Sequence, residues 1–477
     1  MCVCCSGVSD GAESGRDVGW GRVCVFLQRL GKKADSRSLS LAHCDLTATD
    51  LLELGATLLQ FLPQLEELDV SWNELIGGCL RALTSHLQHV GGVRVLKLCS
   101  CRLNADDITA LGGMVSSLPS LCVLDISSNP QLSQGVNGGG FMELASSLSH
   151  ATSLTTLRLQ ACGLTEDSLD ALGGTLHCFT SLRELDLSCN KSLSGGLDRL
   201  TLYLAHLTHL ESLDLHMCCL THADLEALSE SVCVRHVTEQ MFLCVSFTFS
   251  YMNVSCCLEM IHRKIMCVCV CVCVCVCVCV CVSALAVPSL RSVDVSWCKV
   301  VGGRLAQLLD ALQPPVILEL HLSSCELTTD DICNLVCRRG SLSSLRVLDL
   351  SYNGSAADEG WSALFAAGGL GSLEEVDLSL RPSTSAPCSA WLPALLCALP
   401  HLPALTHLAL QRWTMSSHER EQLNHSLRKR SVRLECIAPL FPILLPDSPR
   451  ESRVLLHCRE REGERERERN YYFYVKV

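Results

Sequence analysis

The chain has 477 residues, of which 48% are hydrophobic and 5% aromatic, and its net charge is −12 at pH 7. This length could hold several globular domains, but a repeat array grows along one axis and needs only one. The 34 cysteines do not indicate a disulfide framework, because that inference applies to short secreted chains.

Residues 1–35 carry no repeat pattern, and we assign them to an irregular N-terminal segment. Met1–Asp10 lacks the basic start and apolar core of a signal peptide. We therefore expect a cytoplasmic protein.

A leucine pattern with a period of 28 residues follows this segment. Each unit reads roughly L-x-x-L-x-L-x-x-N or -C and continues into a helix-like stretch. The units open at Leu65, Val93, Leu121, Leu154, Leu182, Leu210, Leu290, Ile317, Leu345, Leu373 and Leu405. One strand and one helix cannot bury their apolar faces alone, so the units must stack. The pattern predicts one α/β leucine-rich repeat solenoid of about eleven or twelve repeats, with a broad concave wall.

The repeats alternate between two types. One type reads L-x-x-L-D-[LVI]-S-x-N and is followed by a glycine pair, as in Leu65–Asn73 and Gly77–Gly78. The other type has Cys in place of Asn and continues into L-[TN]-x-x-D, which resembles a capping box. The expected helix-capping residues are Thr165, Thr221 and Thr328.

Six cysteines occupy the Asn/Cys position of successive repeats, where a small side chain must turn inward and bond the backbone of the adjacent turn. They are Cys44, Cys101, Cys162, Cys218, Cys298 and Cys325. We expect these thiols to be buried and inert.

The fifth position of each strand should face the concave solvent side, because the fourth and sixth positions point into the core. It is occupied by Asp69, Lys97, Asp125, Arg158, Asp186, Asp214, Asp294, His321, Asp349 and Asp377. Acid and base largely alternate, and strands about 4.8 Å apart would let neighbours pair laterally. This row either neutralises itself and holds the strand ends, or forms a docking stripe with Trp72, Trp297 and Tyr352 as aromatic anchors.

The repeat body is acidic. Residues 1–35, 233–284 and 431–477 each sum to +1, so about −15 remains on the rest of the chain. We predict a protein partner with a basic surface, whose binding weakens as salt rises, and no nucleic acid.

Residues 233–284 interrupt the array between 36–232 and 285–430. Cys267–Val282 consists of eight Cys-Val pairs, and Arg459–Arg469 in the tail is nearly pure Arg and Glu. Dinucleotide tracts encode both patterns without selection for structure, so we interpret 233–284 as a retained intron and 431–477 as a disordered or spurious tail. Removing the first segment restores the repeat spacing between Leu210 and Leu290.

Two alternative interpretations of this insert remain. Ile265–Val287 is about long enough to cross a bilayer and follows a basic flank at His262–Lys264. A strand would place the eight thiols on one face, although a tetrahedral metal site does not need eight cysteines. We predict neither membrane association nor a metal site.

The chain contains no HExxH and no G-x-x-x-x-G-K-[ST] motif. The glycine pairs are turn elements, because no Lys-Ser or Lys-Thr follows them. We therefore predict a protein that is not an enzyme and has no cofactor.

Alternation of two repeat types of this length is similar to the ribonuclease-inhibitor type of leucine-rich repeat, in which strands line the inside and helices the outside. Residues 29–430 resemble the family of leucine-rich repeat-containing protein 31, most specifically at Leu378–Ser383 and Arg412–Trp413. The resemblance implies a cytoplasmic scaffold of epithelia with a role in barrier function, a C-terminal cap that includes Trp391, and no catalytic residues. The alternatives are the sensor array of a nucleotide-binding innate immune receptor and a ribonuclease inhibitor proper.

Overall fold

The computed structural model describes residues 37–62, 64–133, 140–204, 206–230, 287, 289–312, 316–337, 343–366, 368, 370–428 and 430–436. The predicted N-terminal segment, the insert with its Cys-Val tract and the Arg-Glu tail therefore lie outside the described residues. Within the described ranges, no helix combines the length and the apolar character that crossing a bilayer requires.

Thirteen short strands form one parallel sheet in the described chain, and their order in the sheet follows the sequence. They are β1 (Ser38–Ser40), β2 (Glu67–Asp69), β3 (Val95–Lys97), β4 (Val123–Asp125), β5 (Thr156–Arg158), β6 (Glu184–Asp186), β7 (Ser212–Asp214), β8 (Ser292–Asp294), β9 (Glu319–His321), β10 (Val347–Asp349), β11 (Glu375–Asp377), β13 (His407–Ala409) and β15 (Arg433–Glu435). A second, two-stranded parallel sheet pairs β12 (Ala386–Pro387) with β14 (Trp413–Thr414).

Helices alternate with the strands along the chain. They are α1 (Ala48–Phe61), α2 (Arg81–Leu87), α3 (Ala105–Val115), α4 (Gly140–Leu148), α5 (Glu166–Leu176), α6 (Leu197–Leu204), α7 (His222–Glu230), α8 (Leu305–Ala311), α9 (Thr329–Cys337), α10 (Asp358–Ala366), α11 (Leu392–Ala398) and α12 (Ser417–Leu427). Short 3₁₀ turns such as Glu74–Ile76 and Lys191–Leu193 follow some of the strands.

The leucine pattern places side chains as predicted. In the second repeat, Leu68 and Val70 are fully buried, whereas Glu67 and Asp69 on either side of Leu68 are half-buried. The same alternation recurs in the other strands, and one cluster of buried side chains extends through the described repeats. The repeats therefore share a single hydrophobic interior.

The repeats on either side of residues 231–286 are neighbours in the sheet. Strand β7 pairs with β8 in parallel, with Asp214 opposite Asp294. The N–H of Leu215 donates to the carbonyl of Asp294 at 2.9 Å, as at other junctions between repeats. We call this β7–β8 junction the seam.

Buried asparagines connect each Asn-type repeat to the repeat before it. Asn190 accepts hydrogen bonds from the N–H groups of Cys162 and Leu164 at 2.9 and 3.1 Å. Its amide nitrogen donates to the carbonyls of Leu159 and Leu187, both at 2.8 Å. Equivalent contacts are made by Asn73, Asn129 and Asn353. Each asparagine thus satisfies backbone groups of two repeats that would otherwise be buried without partners.

In the described chain, buried aspartates connect three repeats that carry a glycine turn to the repeat after each of them. Asp107 accepts from the N–H groups of Gly78 at 2.6 Å, Leu80 at 2.8 Å and its own capping residue Asn104 at 3.0 Å. A Cβ atom on Gly77 would lie 2.2 Å from the carbonyl oxygen of Arg102, which explains the glycine there. The same carboxylate therefore caps a helix and holds the preceding glycine turn.

The predicted helix caps are confirmed at all three threonines, although the partner at Thr165 differs from the prediction. The hydroxyls of Thr221 and Thr328 donate to Asp224 at 2.7 Å and Asp331 at 2.8 Å. At Thr165 the prediction of an acidic partner is wrong, because the N–H of Thr165 donates to the hydroxyl of Ser168 at 3.2 Å.

The six periodic cysteines are buried, as predicted. The thiol of Cys101 donates to the carbonyl of Val70 at 3.3 Å, and that of Cys162 to Ile126 at 3.2 Å. Burial raises the pKa of Cys101 to about 12, so this thiol stays protonated at neutral pH. Burial also raises the pKa of the Cys162, Cys218 and Cys325 thiols.

The C-terminal repeats close on tryptophans. Trp391 and Trp413 are buried with ring centroids 4.9 Å apart, as expected for a cap, and Trp361 packs on Trp413. The indole N–H of Trp413 donates to the carbonyl of Leu378 at 2.7 Å. The sheet continues past the predicted boundary at 430, because β15 pairs with β13.

Candidate protein-binding surface

The ten predicted fifth-position residues lie side by side on adjacent strands. Each is paired in register with the next, from Asp69 opposite Lys97 to Asp349 opposite Asp377. We call these ten residues the charge row. They are half-buried and alternate with core residues, so the row lies on the face of the sheet turned away from the hydrophobic interior.

Every aspartate of the charge row also accepts a hydrogen bond from the backbone N–H two residues later, just beyond the end of its strand. Asp69 accepts from the N–H of Ser71 at 3.0 Å, and Asp294 accepts from that of Ser296 at 2.8 Å. The same contact is made by Asp125, Asp186, Asp214, Asp349 and Asp377. One carboxylate oxygen of each aspartate therefore serves the local turn, which accounts for the Asp-x-Ser pattern.

The basic residues of the row pair mainly with glutamates outside it. Lys97 donates to Glu67 at 2.9 Å, and Arg158 donates to Glu184 at 2.7 Å. The predicted lateral pairing within the row is found only between Arg158 and Asp125, at 3.9 Å, among the ion pairs of the described residues. The hydrogen bond from Lys97 lowers the pKa of Glu67. Sequence reasoning missed both glutamates, although they occupy the third position of the same strand pattern.

The centre of the row holds three consecutive acids, Asp186, Asp214 and Asp294. Burial raises the pKa of Asp214, and the charges of Asp294 and Asp186 raise it further. Burial also favours the neutral form of the nearby His216. It therefore lowers the pKa of this imidazole, which is neutral at pH 7. Farther along the row, burial and the charge of Asp377 raise the pKa of Asp349.

The three predicted aromatic anchors lie just beyond the strand ends. Trp72, Trp297 and Tyr352 all adopt left-handed backbone angles, with φ of 64°, 64° and 61°. The ring of Trp72 stacks on His43 of the preceding repeat with centroids 5.1 Å apart. Trp297 is 40% exposed.

Trp297 and Tyr352 contact each other across an intervening repeat. Their ring centroids are 6.3 Å apart in an edge arrangement, although their strands β8 and β10 are separated by β9. Ser324 lies in that intervening repeat, and its hydroxyl accepts a hydrogen bond from Arg381 at 2.7 Å. The repeat pattern did not predict this bond, because Arg381 lies in an irregular repeat.

One group of metal-ligating side chains comes together among the described residues. Asp214, His216 and Asp294 each offer a ligand atom, and these atoms all lie within 4.8 Å of one another. The sequence prediction of no metal site overlooked this group, because its members come from strands that are distant in the chain.

Comparison with known proteins agrees with the fold. A family model described as "Leucine Rich repeat" matches residues 180–195 and 206–229. The chain is 29% identical to the ribonuclease inhibitor of Sus scrofa, over 72% of this chain and 75% of that protein. It is 32% identical to NACHT, LRR and PYD domains-containing protein 12 of Homo sapiens, over 48% of this chain but only 22% of that protein.

Among solved structures, the yeast Rad7 and Elc1 complex contains a chain with a TM-score of 0.42 and 15% identity, covering 89% of this chain and 98% of that one. The predicted fold class, an α/β leucine-rich repeat solenoid, is confirmed by its parallel strands and alternating helices. The relatives support the ribonuclease-inhibitor type of repeat. Proteins of this kind are generally non-enzymatic scaffolds for protein–protein interaction.

Proposed function

We propose that the charge row and its flanking aromatics bind a protein partner with a basic surface. The observation that carries the proposal is the pairing of Lys97 and Arg158 with Glu67 and Glu184 at 2.9 and 2.7 Å. Since these bases are engaged mainly by glutamates, most aspartates of the row have no base of the row within ion-pair distance among the described residues. A basic partner would supply the missing positive charge.

The aromatic pair gives this surface an anchor. Trp297 is 40% exposed and touches Tyr352, so a large apolar side chain is available to a partner beside acidic groups. Interfaces obtain most of their binding energy from a few such residues. Trp72 offers a second, weaker anchor, because its ring is already stacked on His43.

The proposed biological setting follows from the resemblance at Leu378–Ser383 and Arg412–Trp413. It supports a cytoplasmic, non-enzymatic scaffold in epithelial barrier function, of the kind expected for the family of leucine-rich repeat-containing protein 31. Residues 233–284 have no part in this proposed function.

A test of the proposal is affinity capture of binding proteins from epithelial cell extract, with the wild type, Trp297→Ala and Trp72→Ala compared. Met142→Ala is the matched control, because Met142 is an exposed apolar residue on helix α4 rather than at a strand end. We expect a basic partner to be lost most strongly with Trp297→Ala, to be retained with Met142→Ala, and to dissociate as salt rises. Equal capture by all variants would refute the anchor, and capture independent of salt would refute the charge row.

Ribonuclease inhibition is the second candidate, favoured by the similarity to the inhibitor of Sus scrofa. Inhibition of a pancreatic-type ribonuclease at moderate salt supports it, and full ribonuclease activity in the presence of about micromolar protein excludes it. A sensor array is the third candidate, favoured by the similarity to part of the human NACHT, LRR and PYD protein.

A further inference from the structure

The seam joins the ends of two strands that bring different metal-ligating side chains together. Asp214 ends β7 and Asp294 ends β8, and the two residues are paired in register. His216 lies two residues beyond Asp214, and its backbone N–H donates to that carboxylate at 2.8 Å. The ligand atoms of the three side chains all lie within 4.8 Å of one another.

His216 is unusual for its place in the repeat. The equivalent seventh position of the other described strands from β2 onward holds Ser, Cys or Gln, as at Ser188, Gln160 and Cys99. Two acids also adjoin at Asp349 and Asp377, but Ser351 and Ser379 lie beside them. His321 also adjoins Asp294 and Asp349 in the row. Among the described residues, however, the seam alone brings the ligand atoms of two carboxylates and an imidazole within 4.8 Å of one another.

The charges around the seam favour a cation. Asp186 adjoins Asp214 on the next strand, so three carboxylates follow one another in the row. The arginine of the row, Arg158, is held by Glu184 at 2.7 Å, and the row base that adjoins the seam is His321, opposite Asp294. Carboxylates that are half-buried and close together repel each other, and a bound cation would offset that repulsion.

We propose that Asp214, His216 and Asp294 bind one divalent first-row transition-metal ion. Two carboxylates and an imidazole form a mixed oxygen and nitrogen donor set, which suits Mn²⁺ or Zn²⁺ better than the all-oxygen sites of Ca²⁺. One oxygen of each aspartate is engaged by a backbone N–H, at 2.8 Å in both cases, and the other oxygen is the proposed ligand.

The geometry requires a small adjustment of side chains. Metal–ligand distances of about 2.0–2.2 Å imply donor–donor separations of about 3.3 Å. The donor atoms lie within 4.8 Å of one another, so they must move closer by up to about 1.5 Å. The backbone positions are already fixed by the parallel pairing of β7 and β8. Three protein donors leave further coordination positions for water or for a partner's side chain.

The test is titration of the full chain with Mn²⁺, followed by loss of the free-ion signal in electron paramagnetic resonance. Mn²⁺ is the probe because thiolates, which are abundant in this chain, bind it poorly. We expect one saturable site per chain, with affinity reduced about tenfold or more by His216→Ser and by Asp294→Asn, since even outer-sphere partners contribute about 10- to 100-fold. His216→Gln serves as a second variant, because Gln occupies this position at Gln160 and Gln411.

Asp377→Asn is the matched control, since Asp377 and Asp349 form an acidic pair whose seventh strand positions hold serines, Ser379 and Ser351, rather than a histidine. It should leave Mn²⁺ affinity unchanged, and circular dichroism should show that each variant remains folded. The absence of saturable binding overturns the proposal. Equal affinity in both His216 variants and the wild type, or an equal loss in Asp377→Asn, also overturns it, because either result would show a general attraction of cations to the acidic row.

Discussion

The junction at Asn190 and the seam have the same backbone pairing but different side chains. At the first, Asn190 links two repeats through hydrogen bonds to Cys162, Leu164, Leu159 and Leu187. At the seam, Cys298 takes the place of the asparagine, and its thiol donates to the carbonyl of Leu215 at 3.5 Å. The backbone N–H groups of Leu220 and Cys218 also approach this sulfur. Because a thiol is a weak donor and a weak acceptor, it bonds these groups less strongly than an amide does.

The two junctions also differ in charge on the outer face. Arg158 and Glu184 balance the row near the Asn190 junction, whereas Asp214 faces Asp294 at the seam. Repeat arrays gain stability approximately as a sum of repeats and of the interfaces between neighbours. An array with uniform backbone register can therefore contain interfaces of unequal strength, and the side chains at the seam predict that it is weaker than the Asn190 junction.

The largest effect should come from removing the asparagine bridge. Asn190→Ala leaves the buried N–H groups of Cys162 and Leu164 without their acceptor, and two carbonyls without their donor. Each buried unsatisfied group costs about 1–3 kcal/mol, so we expect the free energy of unfolding to fall by about 2–4 kcal/mol after partial compensation by water. Urea denaturation followed by circular dichroism measures this change.

Cys298→Ala is the matched comparison at the seam. It removes one buried sulfur atom and a weak hydrogen bond, so we expect a loss of only about 1 kcal/mol. A loss as large as that of Asn190→Ala would contradict the difference between the two junctions.

Restoring the bridge should strengthen the seam. In Cys298→Asn, the new amide can accept from the N–H groups of Cys218 and Leu220, as Asn190 does one repeat pair earlier. We expect a gain of about 1 kcal/mol, the net value of a typical internal hydrogen bond. Thermal unfolding at equal protein concentration measures it. A destabilised Cys298→Asn would show that the seam lacks room for an amide, and Cys325→Asn serves as the control at a repeat of the other type.

The periodicity of the sequence predicted the fold because the same spacing of apolar residues recurs in each repeat. The core positions, such as Leu68 and Val70, and the row of fifth positions followed from spacing alone. The buried cysteines followed as well, since one inward position recurs in every unit. What a repeat shares with its neighbours could therefore be predicted from the sequence.

Features that depend on one particular neighbour could not be predicted in this way. Lys97 was expected to pair with an aspartate of the row, but it forms an ion pair with Glu67 on the preceding strand. The glutamate side chain is longer than that of an aspartate and reaches the ammonium group of Lys97. The bond between Arg381 and Ser324 joins residues that are 57 positions apart. The cluster of Asp214, His216 and Asp294 forms only because the repeats of β7 and β8 are neighbours at the seam. The local sequence of either repeat does not predict that pairing.

The acidic pair of Asp349 and Asp377 should make the stability of the protein depend on pH. Burial and Asp377 raise the folded-state pKa of Asp349 above its ordinary value of 3.8. Because this carboxyl has a higher pKa in the folded chain than in the unfolded chain, its protonated form stabilises the fold. This contribution is fully present below the pKa of the unfolded state and is lost as pH rises through the pKa of the folded state. Asp349→Asn removes this loss and should be more stable than wild type at about pH 7 by a few tenths to about 1 kcal/mol.

The measurement is urea denaturation of both proteins at about pH 3 and about pH 7, below and above the window of this carboxyl. The two proteins should be nearly equal at the lower pH. If Asp349→Asn is the less stable protein at the higher pH, the carboxylate is stabilised in the row, and the physical account of the acidic pairs is wrong.

The ion pair of Lys97 and Glu67 should give the opposite dependence of stability on pH, and its removal should have the smallest effect of these substitutions. Lys97 lowers the pKa of Glu67, so the stability from this pair is present above the ordinary pKa of Glu67 and is lost as pH falls through the lowered value. Lys97→Met should cost no more than about 1 kcal/mol at neutral pH, because the pair is only half-buried and solvent screens it. The cost should shrink at acidic pH and in about 1 M salt. Lys191→Met, which removes another exposed lysine, is the control in the same denaturation series. A cost that persists in acid would assign the contribution of Lys97 to packing of its aliphatic stem rather than to its charge.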